Sequence, residues 1–294
     1  MKLAFIYLVI AAALYGSIST VAKPTLDSIH PILLSSLTYL IIGIVVTCII
    51  KITGHYYNPT KNDLKLIVLI SISGAVFGPI LYFYGLTFTN ASLASILINA
   101  EFIFSIILAV SILKERPTRI GYAGIILIFV GLLITNVDFE NQSLIGGNTF
   151  IGNILIIAAS FFWAVDNNVS NIAMKKGVSV TRLIQLKSLI GGLISLAIWL
   201  GLSFSLSFNM LRLEQIPNLL LLSLGGFAGS LFLFLTGMKQ VGTIISVMIF
   251  STSSIFGVIF ALLLLDELHT EIWKLFLSSI TIVCGIFLIT RQNR

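Results

Sequence analysis

Charge is scarce in this sequence. Asp, Glu, Lys and Arg make up 10% of its 294 residues, against about 25% in an ordinary soluble domain. Hydrophobic residues make up 57%, and mean hydropathy is +1.09, so the chain has too little polar surface to coat a core of its size. Cysteine is almost absent. Cys48 and Cys284 both lie within apolar runs and lack the spacing of a metal site or a disulfide framework. Histidine is limited to His30, His55 and His269, all in links between those runs. H-E-x-x-H, G-x-S-x-G and the P-loop are all missing. These absences point away from a soluble enzyme, a resident metal and a cofactor.

The chain is instead rich in long apolar runs. Stretches of about 20 residues, enough to span a bilayer as helix, fall at roughly 3–22, 32–50, 65–86, 90–113, 119–136, 150–172, 180–201, 217–237, 241–265 and 271–290. The links are too short to hold a soluble domain. The reading is an all-α polytopic membrane protein with ten transmembrane helices. The first run, with "AAA" at 11–13, has some look of a signal peptide, but its match to the sixth run argues that it stays.

Lysine and arginine set the expected orientation. The links on the N-terminal side hold thirteen of them, among them Lys51, Lys61, Lys114, Arg116, Lys175 and Lys176, while the opposite links hold only Lys23 and Arg212. Both termini are therefore expected in the cytoplasm, with the protein in the cell's inner (plasma) membrane. The net charge of +6 is then an orientation signal, and nucleic acid is not implied.

The sequence also repeats itself. "SGAVFGPILYFYGLTF" at 73–88 resembles "LGGFAGSLFLFLTGMK" at 224–239, placing Gly74 and Gly78 on Gly225 and Gly229. "ILKERPT" at 112–118 resembles "LLDELHT" at 264–270, and the pair "YG" at 15–16 resembles "WA" at 163–164, placing Tyr15 on Trp163. The halves are residues 1–136 and 150–294, each with five runs. An odd number of spans turns the second half over, which predicts an inverted repeat. The basic "KERPTR" and its acidic counterpart "DELHTE" change charge in the direction that inversion requires.

On these residues the chain resembles the EamA-type branch of the drug/metabolite transporter superfamily. The carriers are the duplication, the pairs "YG" at 15–16 and "WA" at 163–164, and "NASLASILINAEFIFSIILAVSILKERPT" at 90–118. The resemblance implies a central cavity between the repeats, peripheral fifth and tenth helices, and transport of a small solute, more often export. The family often has proline after the glutamate of the fourth span, whereas Phe102 follows Glu101 here.

Three ionisable residues lie well inside apolar runs, where each needs a partner, water or neutralisation. Glu101 sits at the middle of the fourth run, a depth at which repeat-built transporters bind solute. It is a candidate to hold an amine-bearing solute or a coupling proton. An unbroken helix puts Ala94, Leu97, Ile98, Ser105 and Leu108 on its side, with Ser92, Ser95 and Asn99 along a second edge. Asp166 and Lys187 lie at similar depth on consecutive helices, about 7 Å past and 4–5 Å before the respective midpoints, so a direct ion pair is expected. That pair either pins two helices or forms a gate or solute contact. Asn167, Asn168 and Asn171 make a polar girdle around the sixth helix, which argues for burial in protein or water. Packing alone explains Asn168 and Asn171. Tyr15, Tyr82, Tyr84 and Trp163 are candidate cavity walls, since aromatic faces attract cations. Gly74-x-x-x-Gly78 and Gly225-x-x-x-Gly229 read as close helix-packing faces, and Pro79 should kink the third span.

The expected function is secondary active transport, by alternating access, of a small polar or amphipathic metabolite such as an amino acid or amine. Glu101, Asn99, Tyr15, Tyr82, Trp163, Asp166, Asn167 and Lys187 are expected to contact solute. Partners are the solute, membrane lipid and a coupling proton, and a monomer is compatible with the sequence. An uncoupled facilitator or importer, a membrane scaffold and a lipid-modifying enzyme are the alternatives.

Overall fold

A computed structural model describes residues 2–54, 59–113, 119–136, 147–203, 213–241, 246, 249–267 and 272–291. Among them there is no strand, and helix lies in every one of the ten apolar runs. The helices are α1 (Lys2–Leu26), α2 (Pro31–Thr53), α3 (Lys61–Ser71), α4 (Gly78–Phe88), α5 (Ala91–Leu97), α6 (Ala100–Leu113) and α7 (Arg119–Asn136). They continue with α8 (Gly147–Lys175), α9 (Val180–Ser203), α10 (Ile216–Leu220), α11 (Ser230–Val241), α12 (Ser253–Leu264) and α13 (Ile272–Arg291). Six helical segments are long and apolar enough to cross a membrane: Leu3–Leu26, Pro31–Thr53, Asp63–Phe88, Asn148–Lys175, Val180–Leu202 and Leu213–Val241. Ala91–Ser105, Arg119–Gly131, Ser253–Leu264 and Phe276–Gly285 are shorter apolar helices.

Local chemistry sets several of the ends. The His30 ring accepts from the amide of Ile32 and Pro31 opens α2, which closes on Gly54 at φ 68°; that left-handed turn suits a residue without Cβ. Thr60 and Asp63 form a reciprocal capping box on α3. Ser179 Oγ accepts from the amide of Arg182 in the first turn of α9, 3.3 Å away.

Surfaces and interior are arranged for a bilayer. Ile44, Ile126, Phe129, Leu193, Ile280 and Leu263 are exposed, whereas Asp166, Lys187, Asn99 and Asn153 are buried. Such an arrangement is stable only where the surroundings are apolar. Cys48 and Cys284 are both exposed.

Contacts run mainly between the two halves. α2 packs on α9, and α7 packs on α13. α1 packs on α11 and α12, while α8 packs on α4 and α6. α4 and α8 approach closely where a Cβ on either Gly85 or Gly152 would sit 2.7 Å from the other's backbone oxygen.

Two interruptions recur at matching places. Between α3 and α4, Ile72–Phe77 is a π-helix, and between α10 and α11, Leu221–Gly229 is another. The fourth run breaks at Ile98–Asn99, between α5 and α6, and the ninth has turn residues Ser251 and Thr252 before α12. The unbroken helical face expected around Glu101 is therefore corrected. Ser92, Ser95 and Glu101 do not share one regular helix.

Pro79 acts as a register change. In the π segment the amide of Gly78 donates to Ser73 O, so Gly74 O loses its ordinary i+4 donor. The next residue, Pro79, has no N–H to offer. The orphaned carbonyl accepts instead from Tyr39 Oη at 2.8 Å and Trp163 Nε1 at 3.2 Å. Gly74 abuts Asp166, and a Cβ on Gly78 would lie 2.5 Å from Trp163 Nε1, so the first small-residue pair is a close-packing face. The second differs. A Cβ on Gly225 or Gly229 would meet nothing nearer than 3.1 Å. Gly226 against Ile18 and Gly237 against Leu8 make the tight contacts there.

Candidate functional site: a polar centre in an aromatic cavity

The interior polar groups converge from three helices. Lys187 of α9 forms an ion pair with Asp166 of α8, and both side chains are 3% exposed. Ser170, one turn further along α8, donates to Asp166 Oδ1 at 3.1 Å. Asn167 turns the other way and donates to Glu101 Oε1 of α6 at 2.5 Å. Adjacent residues of α8, 100° apart around its axis, thus address two helices. Removing one member of a buried ion pair typically costs about 3–5 kcal/mol, which makes this cluster sensitive to neutralisation.

A small cavity of about 40 Å³ opens onto this centre, lined by Glu101, Asp166, Asn167 and Lys187 with Tyr15, Tyr39, Trp163, Phe227, Phe234 and Phe250. Its remaining lining is Ser230 and Leu231. A neighbouring space of about 20 Å³ shares Tyr15, Glu101 and Phe250 and adds Asn99 and Ser251. Asp166 and Lys187 neutralise each other. Among the described residues, Glu101 is left as the carboxylate without a cationic side chain bonded to it, held by a neutral amide. A site of this make-up offers one hydrogen-bonding anion surrounded by aromatic faces, the combination that receives ammonium groups.

Of the eight residues expected here, Tyr15, Glu101, Trp163, Asp166, Asn167 and Lys187 line the larger space and Asn99 the smaller one. Tyr82 does not line either. It is buried behind Trp163, with ring centroids 5.3 Å apart. Tyr84 is also elsewhere, 3.1 Å from His30 Nε2. Asn168 bonds Ala164 O in its own helix at 2.8 Å, as packing requires. Tyr15 and Trp163, matched by the internal repeat, meet edge to face with centroids 6.2 Å apart. Tyr39, Phe227, Ser230, Phe234 and Phe250 are additions to the expected set. Phe227 and Ser230 lie in the repeated segment around Gly225 and Gly229, which was the one available signal for them. His55 and His269, and the links "KERPT" and "HTE", lie outside the described residues.

The sequence profile of the EamA-like transporter family matches residues 2–137 and 150–291. The chain belongs to that family. It is 29% identical over 298 residues to a protein of Methanothermobacter thermautotrophicus described as an uncharacterized transporter, covering 97% of this chain and 85% of that one. A Clostridium kluyveri protein with the same description is 25% identical, over 91% of this chain and 87% of its own. A solved crystal structure shares the fold, with TM-score 0.69 at 16% identity, covering 97% of this chain and 95% of that chain. Family and composition together make this a multi-pass membrane transporter.

Proposed function

We propose that this EamA-family member is a secondary active transporter, not an enzyme, for a small amphipathic metabolite bearing an amine, such as an amine or an amino acid. Export is the direction the family resemblance favours, with Glu101 exchanging a proton for the solute. One observation carries this reading. Glu101 meets Asn167 across the two halves, at the edge of an aromatic cavity that also holds the Asp166–Lys187 pair. Loading the site with one positive charge, from a proton or a solute, balances a buried carboxylate that is costly unpaired.

Ten spans in two inverted five-helix repeats, residues 1–136 and 150–294, are the arrangement we infer, with both termini cytoplasmic and the protein in the inner membrane. Its support is the exchange of contacts between halves: α1 on α11 and α12, α8 on α4 and α6. The paired π segments and paired helix breaks add to it. Discontinuous helices near the membrane midplane are where repeat-built transporters hold their solutes.

Counterflow in proteoliposomes is the test. Phenethylamine, phenylalanine and 3-phenylpropionate share a body and differ in charge, so they separate an amine, a zwitterion and an anion. The amine or the zwitterion should exchange, driven by an imposed proton gradient, and Glu101→Gln should stop it. Uptake by Glu101→Gln at the wild-type rate would sink the role of Glu101. Exchange indifferent to the proton gradient would make the protein an uncoupled facilitator.

A further inference from the structure

A second polar cluster lies away from the cavity, at one end of the bundle. It gathers where α4 ends and α5 begins, and its chemistry is that of two caps supplied from elsewhere. Asn90 precedes α5 but makes no side-chain capping bond, although asparagine is a favoured capping residue. Glu267, which follows α12 in the other half, supplies that cap. Its carboxylate accepts from the amides of Ala91 at 2.8 Å and Ser92 at 3.0 Å, and from Ser92 Oγ at 2.7 Å. On the other side of the break, Lys23 of α1 donates to the carbonyls of Leu86 and Thr89, both at 2.7 Å. Asn153 of α8 completes the cluster, accepting from Thr89 Oγ1 at 3.0 Å.

The placement decides what these bonds do. Lys23 is eight residues beyond Tyr15, about 12 Å along α1, and Asn153 is thirteen residues before Asp166, about 20 Å along α8. The cluster therefore sits to one side of the polar centre. Thr89, Ala91 and Ser92 belong to the first half; Asn153 and Glu267 belong to the second. Four of the hydrogen bonds span the halves, and three of them involve one charged carboxylate. Charge-assisted bonds of this kind are stronger than neutral ones, and here they hold the halves together.

We propose that Glu267 is a gate residue, its carboxylate holding this end of the cavity shut by gripping Ala91 and Ser92 and releasing them when this end opens. The proposal rests on the transport reading, because alternating access requires each end to part in turn. Lys23 assists by keeping the α4 end against α1. The gate is chemically independent of Glu101, since it shares none of the cavity's lining residues.

Access of a water-soluble thiol reagent to a buried position tests the gate without any solute. Ser95 lies one turn beyond Ser92 and is buried, so Ser95→Cys in a Cys48→Ser, Cys284→Ser background is the reporter. Sulfonatoethyl methanethiosulfonate is applied to right-side-out and to inside-out vesicles. Glu267→Gln should speed modification by at least about tenfold from one face only, as the loss of a charge-assisted grip predicts. Ser92→Ala removes one bond of the three and should give a smaller increase from the same face, which keeps the test intact if Glu267→Gln folds poorly. An unchanged rate in both variants, or equal acceleration from both faces, overturns the gate. Labelling needs no substrate, so a one-sided increase supports the gate even where Glu101→Gln leaves counterflow untouched. In that case proton coupling fails and the gate stands.

Discussion

The helices that open the two stretches matched by the family profile carry different groups into the interior. α8 brings Asp166 and Asn167 where α1 has Ile18 and Ser19, and α9 brings Lys187 where α2 has Thr38. In the second half each of these polar groups is bonded: Asp166 to Lys187 and Ser170, Asn167 to Glu101. In the first half Ser19 is bonded to Ser95 at 2.5 Å, but Thr20 Oγ1 and Thr38 Oγ1 are buried with no hydrogen-bond partner among the described residues. The charged centre is built mainly from the second of the two stretches that the family profile matches. The asymmetry, more than the repeat, marks where the site lies.

The largest effect should come from the charged pair. Asp166→Asn or Lys187→Met alone strands a buried charge, at a cost of about 3–5 kcal/mol, read as a lower Tm in detergent and reduced yield. Exchanging the two, Asp166→Lys with Lys187→Asp, should recover most of that loss. Stability unchanged in both single variants would mean that the pair holds nothing together, and the contrast between halves would lose its energetic content.

That pair was legible in the sequence for a simple reason. Charges are few in the apolar runs, and depth along consecutive helices left Lys187 as the natural partner of Asp166. Glu101 stood out on the same ground. The ten apolar runs and the membrane class were equally plain from composition. The aromatic walls were not, because Phe227, Phe234 and Phe250 are three among 21 phenylalanines and nothing local distinguishes a lining ring from a packed one. Tyr82 shows the converse, a residue placed on the wall that packs one layer behind it. The break at Ile98–Asn99 carries no proline or glycine to announce it. Pro79 did announce a disturbance, but whether it bends a helix or frees a carbonyl for Tyr39 and Trp163 depends on neighbours distant in sequence. Glu267 shows in the sequence only as part of the acidic "DELHTE" link, because its partners in the first half lie about 175 residues away.

Thr38 offers a smaller, opposite test. Its hydroxyl is fully buried and unpartnered, and leaving such a group without a bond costs about 1–3 kcal/mol, whereas replacing it by an apolar isostere is often neutral or stabilising. Thr38→Val should therefore leave Tm unchanged or raise it by the equivalent of up to about 1 kcal/mol. Neutralising its counterpart Lys187 does the reverse. A marked loss of stability in Thr38→Val would show that the first half has a polar interaction of its own at this position.

The mildest effect separates the caps of α2 and α9. His30 and Ser179 each accept from an amide two or three residues on, at 3.3 Å, but only histidine titrates. Burial pushes the His30 imidazole below its usual 6.5, since a cation is disfavoured there and its Nδ1 must stay unprotonated to accept. A base with a depressed folded-state value binds fewer protons folded than unfolded. The stability it contributes is full above pH 6.5 and declines as pH falls through that range. Partial exposure keeps the effect small. His30→Asn retains a capping acceptor without a titrating group, so its Tm should depend less on pH between about 7.5 and 5.5. Ser179→Asn should leave the pH dependence as in the wild type. Equal slopes in all three proteins would assign the pH response to some other group and remove this distinction between the halves.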